Sequence, residues 1–97
     1  MTIVRHYIIH AREGQEAEVE TALSALAELA RSTAGCRGIE LLHDLDNDRR
    51  FIIIEKWDSA EAHKSASNPR ASALLAELIS SFEGRPEGAY CTLLKSI

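Results

Sequence analysis

The chain has 97 residues and carries 11 basic against 15 acidic side chains, a formal net charge of −4. Its composition, 45% apolar and 27% charged, is typical of a folded globular protein rather than a disordered chain. The acidic balance argues against a nucleic-acid partner, because phosphate binding needs clustered Lys and Arg. The longest apolar runs, such as Phe51 to Ile54, are far shorter than the ~20 residues that span a membrane.

The first residues and the two cysteines indicate the compartment, and the absence of linkers indicates the number of domains. Arg5 stands where a secretory signal would need its apolar region, so we expect a cytoplasmic protein. Cys36 and Cys91 lie far apart and lack metal-ligand spacing, which predicts reduced thiols in the core. Because no linker, repeat or low-complexity tract interrupts residues 1–97, we expect a single domain.

The first half of the chain reads as strand, helix, strand, strand. Residues Ile3 to Ala11 are rich in β-branched side chains and predict a strand. Apolar residues recur at helical spacing from Glu16 to Ser32 and predict an amphipathic helix. Two further strands are predicted, Ile39 to Asp44 and Arg50 to Trp57, joined by an Asp-rich hairpin loop.

The second half completes a β-α-β-β-α-β order. Asp58 is the predicted N-cap of a short helix that ends near Ser65, and Asn68 caps a further helix. The apolar face predicted for this further helix comprises Leu74, Leu75, Leu78, Ile79 and Phe82. Residues Ala89 to Lys95 predict a last strand. The order predicts an α+β fold of the ferredoxin-like, split β-α-β type, a four-stranded antiparallel sheet with helices on one face.

The predicted strands are apolar on both faces, although helices can cover only one. The helices cannot cover all of the apolar strand residues Val4, Ile8, Ile39, Leu41, Ile52 and Ile54. A contiguous apolar patch of this kind usually marks an interface. We therefore predict a homodimer that forms through the open face of the sheet.

Four segments resemble the antibiotic biosynthesis monooxygenase (ABM) family. Phe51 to Trp57 is an apolar strand that ends in Glu-x-Trp and precedes an Ala-rich helix. Ala34 to Leu41 is similar to the family's Pro-Gly-Cys turn into its second strand. A first strand followed by a Gly and an acidic helix also fits, as does Gly84-Arg85-Pro86 before the last strand. The resemblance implies a dimeric α+β barrel.

The resemblance also implies an activity, oxidation of a small aromatic quinol, phenol or anthrone without metal, flavin or haem. An electron-rich phenol that has lost its proton can transfer an electron to O₂ directly. The protein then needs only an apolar pocket, a base and groups that fix the substrate. Two other functions stay open on the same scaffold: a non-catalytic ligand-binding or structural barrel, and a non-oxidative isomerase.

Three residues are the candidates for catalysis. His63 follows Trp57 by six residues, where the family's anthrone oxygenases carry a Tyr, and its near-neutral pKa suits a base. Trp57 would stack on the substrate and Tyr7 would position it. The predicted substrate-binding residues are Tyr7, Ile53, Glu55, Trp57 and Leu75.

Each candidate also has a purely structural interpretation. Trp57 could be a packing residue, Tyr7 a half-buried strand aromatic and His63 a solvated helix residue. Glu55 could be an ion-pair partner of Arg5 or Arg50.

Haem degradation and metal binding are both disfavoured by the sequence. The resemblance implies that a haem-degrading member would carry an Asn and a His at two positions where this sequence has Tyr7 and Ser67. His6 and His10 share a predicted strand face, but four strand residues separate them by roughly 13 Å. Two ligands of one ion cannot lie that far apart.

Overall fold

The protein forms a four-stranded antiparallel sheet with its helices packed on one face, in a computed structural model that describes residues 2–97. The elements are β1 (Ile3–His10), α1 (Glu16–Arg31), β2 (Cys36–His43), β3 (Arg50–Trp57), α2 (Ala60–Lys64), α3 (Pro69–Leu78), a 3₁₀ turn (Ile79–Ser81) and β4 (Glu87–Thr92). The strand order β2-β3-β1-β4 confirms the predicted ferredoxin-like α+β fold. Within residues 2–97, no helix combines the length and apolar character needed to cross a membrane.

The hydrophobic core lies between the sheet and the helices. Val19 and Leu23 of α1 are fully buried, as is Phe51 of β3. They form one cluster with Ile9, Ala11, Ile53, Leu78 and Phe82. Truncating a buried Phe such as Phe51 to Ala costs about 3–5 kcal/mol, so this cluster holds the helices against the sheet.

Three of the predicted strands have different limits in the observed pairing register. β2 begins at Cys36 rather than Ile39, with a register shift between Cys36 and Gly38. The last strand is Glu87–Thr92 rather than Ala89 to Lys95, because Thr92 pairs with Ile3 at the very start of β1. The pairing between β1 and β4 ends at this pair of residues. β1 ends at His10, and Ala11 forms only an isolated bridge to Phe82.

The helix limits also differ in part from those predicted. Ser59, not Asp58, caps α2, because its hydroxyl accepts a hydrogen bond from the backbone N–H of Ala62 at 3.0 Å. Asp58 forms an ion pair with Arg37 instead. Asn68 caps α3 as predicted. α1 ends at Arg31, one residue before the predicted end at Ser32. α3 ends at Leu78, so Phe82 joins the core from the extended segment after the helix and not from the helix itself.

Two of the six apolar strand residues lie on the helix side of the sheet. Ile39 and Leu41 pack against the core there, and Leu42 takes the open face with 43% of its surface exposed. The register sets Leu41 beside Ile53 and Leu42 beside Ile52, on opposite faces of the sheet. Both thiols are free, but only Cys36 is half-buried, and Cys91 is exposed on an edge strand. The prediction of a core thiol is therefore wrong for Cys91.

Candidate functional site

A cavity of about 280 Å³ lies between the sheet and the helices and is lined mostly by apolar side chains. All six predicted site residues line it: Tyr7, Ile53, Glu55, Trp57, His63 and Leu75. Further walls come from α1, the α2–α3 connection, α3 and the loop before β4, namely Leu26, Ala30, Asn68, Ser72 and Pro86. The cavity is large enough for a small aromatic molecule.

The position of α2 over the end of β3 depends on Gly35. This glycine has φ +88°, a conformation that L side chains rarely adopt, and its carbonyl accepts a hydrogen bond from the N–H of Asp58 at 2.9 Å. A side chain at Gly35 would place a Cβ 2.9 Å from the Cβ of Ala62, closer than two carbons can approach. The small residue lets α2 pack tightly here, and His63 follows Ala62 directly.

His63 is held by hydroxyl groups on both of its ring nitrogens. Its Nε2 lies 2.9 Å from the hydroxyl oxygen of Tyr7, and its Nδ1 lies 2.7 Å from that of Tyr90. The ring also meets Trp57 edge-on, with 5.1 Å between centroids. Only 18% of the side chain is exposed, so His63 is not the solvated helix residue of the structural interpretation.

Burial and charge both favour the neutral form of His63. Removal of the ring from water lowers the pKa of His63, and the positive charge of Arg5 lowers that pKa further. Burial raises the pKa of the Tyr7 hydroxyl, the charge of Glu55 adds to this shift, and Arg5 opposes it. At neutral pH the site therefore presents a neutral imidazole, able to accept a proton, beside a protonated phenol.

Glu55 and Trp57 form a second pair on the cavity wall. The indole N–H of Trp57 donates a hydrogen bond to Oε1 of Glu55 at 2.9 Å, and the same oxygen lies 3.8 Å from Nε2 of His63. Burial raises the pKa of Glu55, while the hydrogen bond from Trp57 opposes this shift. Of the two predicted partners, Arg50 pairs with Asp44 instead.

Arg5 and Tyr90 are site residues that the sequence analysis did not identify. The guanidinium carbon of Arg5 lies 4.8 Å from the ring centroid of Tyr7 and 4.2 Å from that of Tyr90, close enough for cation–π attraction to both. Strand alternation from Tyr7 could have placed Arg5 on this face. Tyr90 could not have been found, because only the β1–β4 register sets it opposite Arg5.

The polar groups in and beside the cavity suit organic acid–base chemistry. One neutral imidazole, two phenols, a carboxylate and an indole can move a proton and bind an aromatic ring by stacking. Within residues 2–97, no three His, Cys, Asp or Glu side chains are grouped so as to hold a metal ion.

The fold and this cavity define a class of ferredoxin-like α+β proteins with a mostly apolar cavity between sheet and helices. The sequence profile of the family described as "Antibiotic biosynthesis monooxygenase" matches residues 2–77, and the chain belongs to this family. A search of curated proteins gave no match.

Solved structures share the fold over nearly the whole chain. The oxygenase SnoaB from Streptomyces nogalater, described as cofactor-independent and solved as a mutant, is 19% identical with a TM-score of 0.79, over 99% of this chain and 96% of its own. PA3566 from Pseudomonas aeruginosa is 21% identical with a TM-score of 0.84, over 97% and 95%. Rv0793 from Mycobacterium tuberculosis is 15% identical with a TM-score of 0.83, over 99% and 98%. At these identities the likeness is one of fold.

Proposed function

We propose that this protein is a cofactor-independent monooxygenase that oxidises a small aromatic quinol, phenol or anthrone. One observation carries the proposal: the shielded ring of His63 lies 2.9 Å from the hydroxyl of Tyr7, on the wall of an apolar cavity that Trp57 also lines. Membership of the family supports the reaction type, as does the fold shared with SnoaB, a cofactor-independent oxygenase.

The first step of the proposed reaction is loss of the substrate's acidic proton. Trp57 stacks on the aromatic ring, and the Tyr7 hydroxyl fixes the acidic oxygen near His63. The neutral imidazole accepts the proton. The Glu55 carboxyl group, 3.8 Å from Nε2, stabilises the imidazolium as it forms, provided that Glu55 is ionised.

The second step is the reaction of the substrate anion with O₂. The anion transfers one electron to O₂, and the resulting radical and superoxide combine to a peroxide on a ring carbon that carries hydrogen. The peroxide takes back the proton held by His63 and then loses water to leave a quinone carbonyl. One oxygen atom of O₂ enters the product and the other leaves as water, so atoms and electrons balance.

We also propose that the protein acts as a homodimer joined through the open sheet face. Cross-strand register aligns Leu42, Ile52 and Ile8 in one row on this face, with Ile54 in the next row. Each such side chain left in water forgoes roughly 1.5–3 kcal/mol of burial free energy.

Free thiols at both cysteines support a cytoplasmic location, where cysteines stay reduced.

Oxygen consumption with a panel of quinols and anthrones tests the proposed reaction. We expect product only in air, without added cofactor, and with one atom of ¹⁸O from labelled O₂. His63→Ala should lower turnover by roughly 10²–10⁴-fold, the usual contribution of general acid–base catalysis. His43→Ala is the matched control, because His43 stacks on Phe51 away from the cavity, and its turnover should match the wild type.

Two results would overturn the proposed reaction. Product formed equally well without oxygen would indicate an isomerase. Binding of the aromatic compounds without turnover would indicate a ligand-binding barrel. Wild-type turnover by His63→Ala would remove His63 as the base while leaving the reaction type intact.

A further inference from the structure

We propose that Tyr90 is a positioning residue that holds His63 in the tautomer with hydrogen on Nδ1 and connects this nitrogen to solvent. The inference rests on the proposed function, in which Nε2 of His63 must be free of hydrogen to accept a proton. It concerns a residue outside the cavity wall, since Tyr90 contacts His63 but is not one of the residues that line the cavity.

The geometry gives each ring nitrogen one hydroxyl partner. If Nδ1 donates its hydrogen to the Tyr90 oxygen at 2.7 Å, Nε2 is left to accept from the Tyr7 hydroxyl at 2.9 Å. The Tyr7 oxygen can then accept a hydrogen bond from a substrate hydroxyl. The opposite tautomer would direct an N–H at Tyr7 and leave the accepting nitrogen, Nδ1, facing Tyr90 instead.

The groups around His63 compete to determine which of its ring nitrogens carries hydrogen. The groups facing the ring are Tyr7 and Arg5 from β1, Glu55 from β3 and Tyr90 from β4. Glu55, 3.8 Å from Nε2, favours hydrogen on that nitrogen when it is ionised. Tyr90 opposes this preference when its oxygen accepts the hydrogen of Nδ1 at 2.7 Å.

Tyr90 is itself held in place and open to water. Its ring lies 4.2 Å from the guanidinium carbon of Arg5 and 5.3 Å from Nζ of Lys64, while 38% of its surface is exposed. A proton that reaches Nε2 through Tyr7 forms the imidazolium, whose Nδ1–H donates to the Tyr90 oxygen, and the exposed Tyr90 hydroxyl connects this nitrogen to water. Nε2 gains one proton in this step and loses it again to the peroxide, so that His63 returns to the tautomer with hydrogen on Nδ1.

Nitrogen NMR of His63 tests the tautomer directly and without a substrate. In the wild type, ¹⁵N shifts should show hydrogen on Nδ1 and none on Nε2. Tyr90→Phe keeps the ring against Arg5 and removes only the hydroxyl, so the preference for Nδ1–H should fall roughly 2- to 10-fold, the equilibrium factor of one neutral hydrogen bond. Thr92→Val, which removes a hydroxyl two residues along the same strand, should leave the tautomer unchanged.

Kinetics with an active substrate give the second readout. Tyr90→Phe should lower kcat by a similar factor with KM unchanged, because substrate contacts are intact. The inference is overturned if wild-type His63 carries hydrogen on Nε2, or if Tyr90→Phe leaves the tautomer as in the wild type. A tautomer that responds to Tyr90→Phe in a protein without turnover would uphold the inference and overturn the proposed function alone.

Discussion

The hydroxyl of Tyr7 lies 2.9 Å from Nε2 of His63, although 56 positions separate the two residues in the sequence. β1 places Tyr7 on the wall of the cavity. The close packing of Ala62 against Gly35 places the neighbouring His63 beside it. The contact joins a proton acceptor to a group that can bind a substrate oxygen.

The pKa of His63 should be below its ordinary value of 6.5, because burial and the charge of Arg5 both lower it. Turnover should then rise with pH through that lowered pKa and stay level above 6.5. The unfolded chain takes up a proton near 6.5, so the free energy of unfolding should decrease as pH falls from 6.5 to the folded-state pKa. Proton NMR titration, with His63→Gln to assign the signal, measures this pKa. A value above 6.5 would contradict the prediction.

Gly88→Ala should raise the pKa of His63, although the new side chain makes no contact with His63. A Cβ at Gly88 would lie 2.5 Å from a terminal nitrogen of Arg5, the movable end of a long side chain, so Arg5 should shift away. Its charge then lowers the pKa of His63 less. Gly38→Ala is the control, because nothing lies within 4 Å of a Cβ there. Equal titration curves for His63 in both variants would refute the role given to Arg5.

Gly35→Ala should destabilise the protein more than Gly14→Ala. Both glycines have positive φ, +88° and +84°, which costs an alanine roughly 1 kcal/mol or more. Only at Gly35 does the new Cβ also collide, 2.9 Å from the Cβ of Ala62. Urea unfolding should therefore give a lower midpoint for Gly35→Ala, and the His63 signals should shift only in that variant. Equal midpoints would mean that α2 moves away freely.

Ile54→Asp should dissociate or unfold the proposed dimer, because an unpaired carboxylate in an apolar interface costs several kcal/mol. Ile54 lies on the open sheet face, opposite His6 and Glu40 in the register. Leu45→Asp provides the control, since Leu45 is fully exposed in the β2–β3 loop. Sedimentation should show a dimer for the wild type and for Leu45→Asp. A stable wild-type monomer at micromolar concentration would exclude the homodimer.

Element order and fold class could be predicted from the sequence because they depend on local patterns. Helical spacing of apolar residues predicted α1, and strand-forming runs predicted β1 and β3 close to their observed limits. The Asn68 cap was also predicted, because its side chain accepts a hydrogen bond from the backbone N–H of Ala71, only three residues along the chain. The ends of β2 and β4 were missed because a strand ends where its neighbour does, which is a property of pairing and not of the strand.

The candidate site was only partly predictable, for the same physical reason. Tyr7, Glu55 and Trp57 share a face through strand alternation and the pairing of β1 with β3, and the resemblance to the family added His63. Which way the His63 ring turns was decided by the tertiary structure alone, through packing of α2 against Gly35. Tyr90 enters the site only through the register of β4, because hydrogen bonds between residues distant in sequence leave no local pattern. The sequence determined which side chains were available, and the packing of sheet and helices decided which of them meet.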